Sequence, residues 1–140
     1  MNLSRTIEQL EANPWPAATA DASPMVMRCH ALRKVPVSQL SVGDIRVLLG
    51  QEIGAKVLIP VAVKLLEENP LAEGDHYPGD LLLNVLRIDG THWKAEKELL
   101  QRVAAVARRA QAELSTSEEA IQSNRATLRE INAFLRSTAA

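Results

Sequence analysis

The chain is poor in the residues from which catalytic and ligand sites are usually built. It has a single cysteine, Cys29, in 140 residues. That excludes an internal disulfide framework and fits a reducing compartment, so the expected location is cytoplasmic. Aromatic residues make up 3% of the chain, leaving few platforms on which bases of single-stranded nucleic acid could stack. Charge of one sign is also missing: 16 basic and 17 acidic side chains leave a formal net charge of -1. No global field therefore draws the molecule toward nucleic acid or an anionic membrane. The longest apolar run, residues 57–63, is interrupted by Pro60 and falls far short of the roughly 20 residues that span a bilayer as a helix. The first ten residues lack the apolar stretch after a basic start that marks a secretory signal, and none is expected there.

What is present has the balance of an ordinary globular domain, with 46% hydrophobic and 24% charged residues. A chain of this length buries roughly two-thirds of its unfolded surface, so one domain over residues 1–140 needs no disulfide or metal to fold. No alternating run rich in β-branched residues occurs, and no repeat of 20 to 50 residues is detectable. The expected fold is all-α: a single-domain helical bundle of about six to seven helices that ends in a C-terminal helical hairpin.

Helical spacing supports this along the chain. Leu3, Ile7 and Leu10 form the apolar edge of a short first helix, which Asn13, Pro14 and Pro16 stop. Trp15 is expected to fold back as an anchor. Ser23 and Pro24 supply a cap and first-turn pair for a second helix, with Met25, Cys29 and Leu32 as its buried stripe. Ser41 and Asp44 have capping-box spacing, flanked by Leu40 and Ile45 as a hydrophobic staple, before a helix carrying Leu48 and Leu49.

Residues 55–68 present a wide apolar face in which Pro60 must kink a helix or begin its main part, and Asn69 and Pro70 end it. Pro78 is placed to open the next helix, with Asp80 in its first turn. Residues 81–88 are so aliphatic that they are expected to form the central core helix, with Asn84 its one interior polar group. A long helix is expected from His92 to Leu114, then a last one carrying Ile121, Leu128, Ile131 and Leu135, opened by capping boxes at residues 115–119.

No chemical motif survives inspection. Cys29 and His30 are sequence neighbours, and adjacent helical side chains diverge by about 100 degrees, so they make no nucleophile and base pair; a buried structural cysteine is the simpler reading. His30, His76 and His92 have no i, i+3 or i+4 partner among themselves, so no metal site is expected. Gly74, Gly79 and Gly90 follow no strand and precede no Lys-Ser or Lys-Thr pair, so no nucleotide cofactor is expected either. Arg102, Arg108 and Arg109 form a basic patch that could touch phosphate, although Glu96, Glu98 and Glu113 lie along the same helix.

The one local imbalance spans residues 67–80. Glu67, Glu68, Glu73, Asp75 and Asp80 occur there without a lysine or arginine. The plain reading is a hydrated loop between two capped helices. The sharper one is an acidic docking surface for a basic protein partner, with Tyr77 and Trp93 as aromatic anchors.

The same segment carries a family resemblance. Residues 28–34 with Cys29 and His30, residues 42–53, then Leu58, Ile59 and Pro60 lead into residues 65–86. There Glu67, Glu68, Asn69, Pro70, Leu71, Ala72, Glu73, Gly74 and Asp75 precede Tyr77, Pro78, Gly79, Asp80 and the leucines 81–83. In this order the chain resembles the immunity proteins of bacterial contact-dependent growth inhibition systems. The resemblance runs from about Thr6 to Trp93, giving a family-like core in residues 1–93 and a hairpin extension in residues 94–140.

The resemblance implies a cytoplasmic, non-enzymatic antidote that binds the C-terminal toxin domain of its own system's large exported protein. Such toxins are often nucleases, commonly acting on tRNA. The favoured contact surface is then Glu67, Glu68, Glu73, Asp75, Tyr77 and Asp80. The alternative is a small helical nucleic-acid-associated regulator using Arg102, Arg108 and Arg109. The apolar stripe of residues 94–140 also leaves a homo-oligomer open.

Overall fold

A computed structural model of the chain describes residues 2–138. Those residues form nine α-helices and no strand, and six of the helices are seven residues or longer. In chain order they are α1 (Ile7–Glu11), α2 (Pro24–Leu32), α3 (Val42–Gly50), α4 (Ala55–Glu68), α5 (Asp80–Leu86), α6 (Thr91–Lys94), α7 (Lys97–Leu114), α8 (Glu118–Ser123) and α9 (Arg125–Thr138). A 3-10 turn at Val37–Gln39 leads into α3.

Local chemistry sets most of the boundaries. The Ser41 hydroxyl accepts from the Asp44 N–H at 3.0 Å and the Asp44 carboxylate accepts from the Ser41 N–H at 2.9 Å, so the expected box opens α3. A second box, Thr6 with Gln9, opens α1. It starts that helix at Ile7 and leaves Leu3 outside it and exposed, contrary to the expected first helix. Ser23 caps α2 through the Val26 N–H, with Pro24 in the first turn as expected. Helix α4 continues across Pro60.

Three further boundaries depart from the sequence reading. Pro78 does not open α5: Gly79 is the N-cap, with φ of 94°, a left-handed conformation that glycine adopts without a Cβ penalty. The helix expected from His92 breaks at Ala95 and Glu96 into α6 and α7. The last helix is likewise split at Asn124, whose side-chain amide donates to the Leu114 carbonyl at 3.3 Å and the Ala120 carbonyl at 2.8 Å. Ser117 caps α8 through the Ala120 N–H, in place of the expected boxes at residues 115–119.

One hydrophobic cluster joins these elements, running from Ile7 through α3, α4 and α5 to Leu128 and Ile131 of α9. Helix α5 is at its centre, with Leu81, Leu82 and Val85 fully buried. Each such leucine contributes about 1.5–3 kcal/mol by leaving water. Asn84 on the same helix is half-buried and donates to the Arg46 carbonyl at 3.0 Å, which satisfies it. The hairpin of α7 and α9 packs back on α4 and α5, so the apolar stripe of α9 is spent inside the chain.

Near the N-terminus Trp15 folds back as expected. The Arg33 guanidinium, 1% exposed, lies 4.0 Å from the centre of its ring and pairs with Glu11 at 2.7 Å.

Candidate functional site

The loop between α4 and α5 is built on a buried carboxylate. Asp80, 3% exposed, accepts from the Gly74 N–H at 2.6 Å with one oxygen and from the His76 N–H at 3.0 Å with the other. Arg46 of α3 balances its charge from 3.6 Å. The Gly79 N–H donates to the Leu71 carbonyl at 3.2 Å, and a bridge between Glu73 and Pro78 closes the loop. Residues 71–79 are thereby held as a compact knob, consistent with backbone groups that need partners.

The acidic run does not present a uniform face. Glu67 is turned toward α7, where Arg102 Nε donates to its carboxylate at 3.0 Å and Arg109 donates to its carbonyl at 2.8 Å. That hydrogen bond from Arg102 holds the Glu67 carboxyl below its usual range. Asp80 is buried, so it positions the loop and cannot touch a partner. Asp75 is exposed but accepts from Arg28 Nη1 at 3.0 Å, with Arg46 at 3.6 Å. The Arg28 hydrogen bond is the main cause of its lowered pKa. Glu68, Glu73 and Tyr77 are exposed, and neither glutamate has an ion-pair partner among the described residues. Of the six expected contact residues, four therefore reach solvent on the loop and its edge; Glu67 is half-buried and tied to Arg102, and Asp80 alone is buried.

Arg28 also connects this loop to a surface the sequence reading missed. Its Nη2 donates to Asp44 at 3.0 Å, so one guanidinium ties α2, α3 and the loop together. Immediately before it, Met25, Val26 and Met27 are 44%, 43% and 48% exposed. Met25 was expected in a buried stripe; only Cys29 of α2 is buried, because the helix rests on α3 through its C-terminal half. These three consecutive apolar side chains fan around the first turns of α2, the helix that Arg28 joins to the acidic loop, and exposed apolar surface of this kind marks interaction sites. The signal for it in the sequence was weak: in α2 the polar residues follow the apolar ones without a clear stripe.

The expected basic patch is partly engaged by the same contacts. Arg102 pairs with the Glu67 carboxylate and Arg109 donates to the Glu67 carbonyl, while Arg108 and Arg109 both stay exposed. Among the described residues no group of three or more His, Cys, Asp or Glu side chains is arranged to hold a metal ion, and no helix is long and apolar enough to cross a membrane.

Against known proteins, the model of the family described as CDI immunity proteins matches residues 9–103, about two-thirds of the chain. The matched span contains α2 to α6, the acidic loop and the exposed methionines, and stops in the second turn of α7. No curated protein and no solved structure matches the chain.

Proposed function

We propose, from the premise that this chain belongs to the family of CDI immunity proteins, that it binds the toxin domain of its own contact-dependent growth inhibition system one-to-one and blocks it. Members of this family are toxin inhibitors and not enzymes, and the family match is the observation that carries the reading. The finer parts are our own: that the site of action is the cytoplasm, that the toxin is a nuclease acting on tRNA, and that Glu68, Glu73, Asp75 and Tyr77 make the contact with Met25 and Met27 beside them. Two unpaired carboxylates, Glu68 at the end of α4 and Glu73 on the rigid loop, suit a cationic nuclease cleft, because charge complementarity speeds encounter and rejects wrong partners. Exposed methionines on α2, the helix that Arg28 joins to the loop, suit the desolvated centre of an interface.

The test is a calorimetric titration with the catalytically inactivated toxin domain encoded beside this chain. Tight one-to-one binding is expected, weakened at least tenfold by Glu68→Lys with Glu73→Lys while the unfolding curve is unchanged. Absence of any complex would overturn the function, and unchanged affinity of the double variant would overturn the surface. Protection of tRNA from the active toxin by one equivalent of the protein tests the nuclease assignment.

A further inference from the structure

The part of the chain beyond the family match carries its own surface. Helix α9 places Arg125, Arg129, Asn132 and Arg136 at positions i, i+4, i+7 and i+11, which is a single stripe along one helix face. None of the three arginines has a carboxylate partner among the described residues; Arg125 donates only to the neutral Gln122 side chain, at 3.1 Å. The one acid in α9, Glu130, faces away and is taken by Arg87 at 2.5 Å.

The stripe rims a groove of about 620 Å³ between the end of α7 and the α8–α9 turn. Its floor is apolar, with Ala112, Leu128 and the exposed Ile121. At its base Gln111 and Asn132 are hydrogen-bonded at 2.5 Å, which fixes α7 against α9. The groove exists because the chain turns at Asn124 and holds α8 off the core: none of the six residues of α8 is buried.

We propose that this groove is a second docking site, and that it takes an acidic amphipathic helix of a protein partner. The inference rests on the antidote reading in one respect, that the partner is the toxin domain. The chemistry selects the occupant. Three uncompensated guanidinium groups spread over about 16 Å of helix call for carboxylates at matching intervals. The apolar floor between them calls for aliphatic side chains on the same segment, as when a helix lays its apolar face into a groove. A sugar-phosphate backbone would meet the arginines but leave Ile121 and Leu128 unused, and the groove offers no aromatic ring on which a base could stack. Since the stripe lies outside the matched span, it discriminates between partners instead of supplying the property common to the family.

The experiment uses the full chain and the inactivated toxin domain. With wild-type protein binding established, the triple reversal Arg125→Glu, Arg129→Glu, Arg136→Glu is expected to lower affinity at least tenfold and to flatten the salt dependence. The neutral set Arg125→Gln, Arg129→Gln, Arg136→Gln should retain the fold if the reversal does not, and lower affinity less. Binding that is tight in wild type and unchanged in the glutamine set overturns the groove while leaving the antidote reading intact; no binding by wild type overturns that reading and this one together. An equal loss per charge from Arg108→Glu, outside the groove, would reduce the effect to bulk charge and overturn it. So would a tRNA gel shift by the wild type that the triple reversal abolishes, which would make the occupant a nucleic acid.

Discussion

Gly43 lies against the carboxylate of Asp75 so closely that a methyl group on its Cα would meet Asp75 Oδ1 at 2.2 Å. Helix α3 and the acidic loop touch here, and the Gly43 Cα is also 3.2 Å from where a Cβ on Gly74 would stand. Gly43→Ala must therefore push Asp75 away from Arg28 and Arg46. The expected loss is about 1–3 kcal/mol from overpacking, reduced by the better helix propensity of alanine. Gly50→Ala, where the nearest atom is Asn84 Nδ2 at 3.4 Å, is the contrast and should be neutral or stabilising by up to about 1 kcal/mol. Urea midpoints of the two variants moving the same way would contradict this packing.

Asp80 offers each of its two oxygens to a different backbone N–H. Asp80→Ala leaves both donors and Arg46 without the carboxylate in a buried place, an expected loss of about 3 kcal/mol. Asp80→Asn is not a safe isostere, since its amide nitrogen would face one of those N–H groups; a loss of about 1–3 kcal/mol is expected. A change below about 0.5 kcal/mol in either unfolding curve would mean that the loop is held by something else.

These two residues mark how far the sequence could be read. Caps and turns are local chemistry, so Ser23, Ser41 and the apolar run of α5 were legible, and the all-α class with them. Breaks at Ala95 and Asn124 were not, because neither contains a glycine or proline; they arise where Trp93 is buried and where Asn124 bonds the Leu114 carbonyl. The site was legible as a charge imbalance but not as a surface. The arginines that take up Glu67, Asp75 and Asp80 come from α2, α3 and α7, about 30 to 50 positions away, and a local count of charge cannot see them. The family match supplied what composition could not, the class of partner.

Acid should weaken the joint between α2, α3 and the loop. The Arg28 hydrogen bond lowers the Asp75 pKa; for Asp44, burial acts to raise the pKa, but the Ser41 N–H and Arg28 outweigh it and the net shift is downward. Both folded values lie below the unfolded ones, so the unfolded chain binds more protons. The stabilisation is present above the ordinary carboxylate value of about 4 and is lost as pH falls through the lowered folded values. Arg28→Ala should cost stability at pH 7 and shrink that loss progressively below about pH 4, with salt damping the effect because Asp75 is exposed. A stability gap between wild type and variant that stays constant from pH 7 down to pH 2.5 would show that Arg28 acts by packing alone.

Met25 and Met27 separate a folding role from a binding role. Both are nearly half exposed, so replacing them with serine removes little buried area and should shift stability by no more than about 0.5 kcal/mol. If Met25 filled the core, as its helical spacing with Cys29 suggests, its loss would instead cost about 2–5 kcal/mol. At an interface the balance reverses. Truncating an apolar anchor that a partner desolvates costs more than about 1 kcal/mol in affinity, whereas a side chain left in water costs nothing. The double variant Met25→Ser, Met27→Ser is therefore expected to unfold like wild type and to bind the toxin domain at least fivefold more weakly. Calorimetry of that variant beside Glu68→Lys with Glu73→Lys then assigns the apolar and acidic halves of the surface separately; unaltered affinity would confine the contact to the acidic loop.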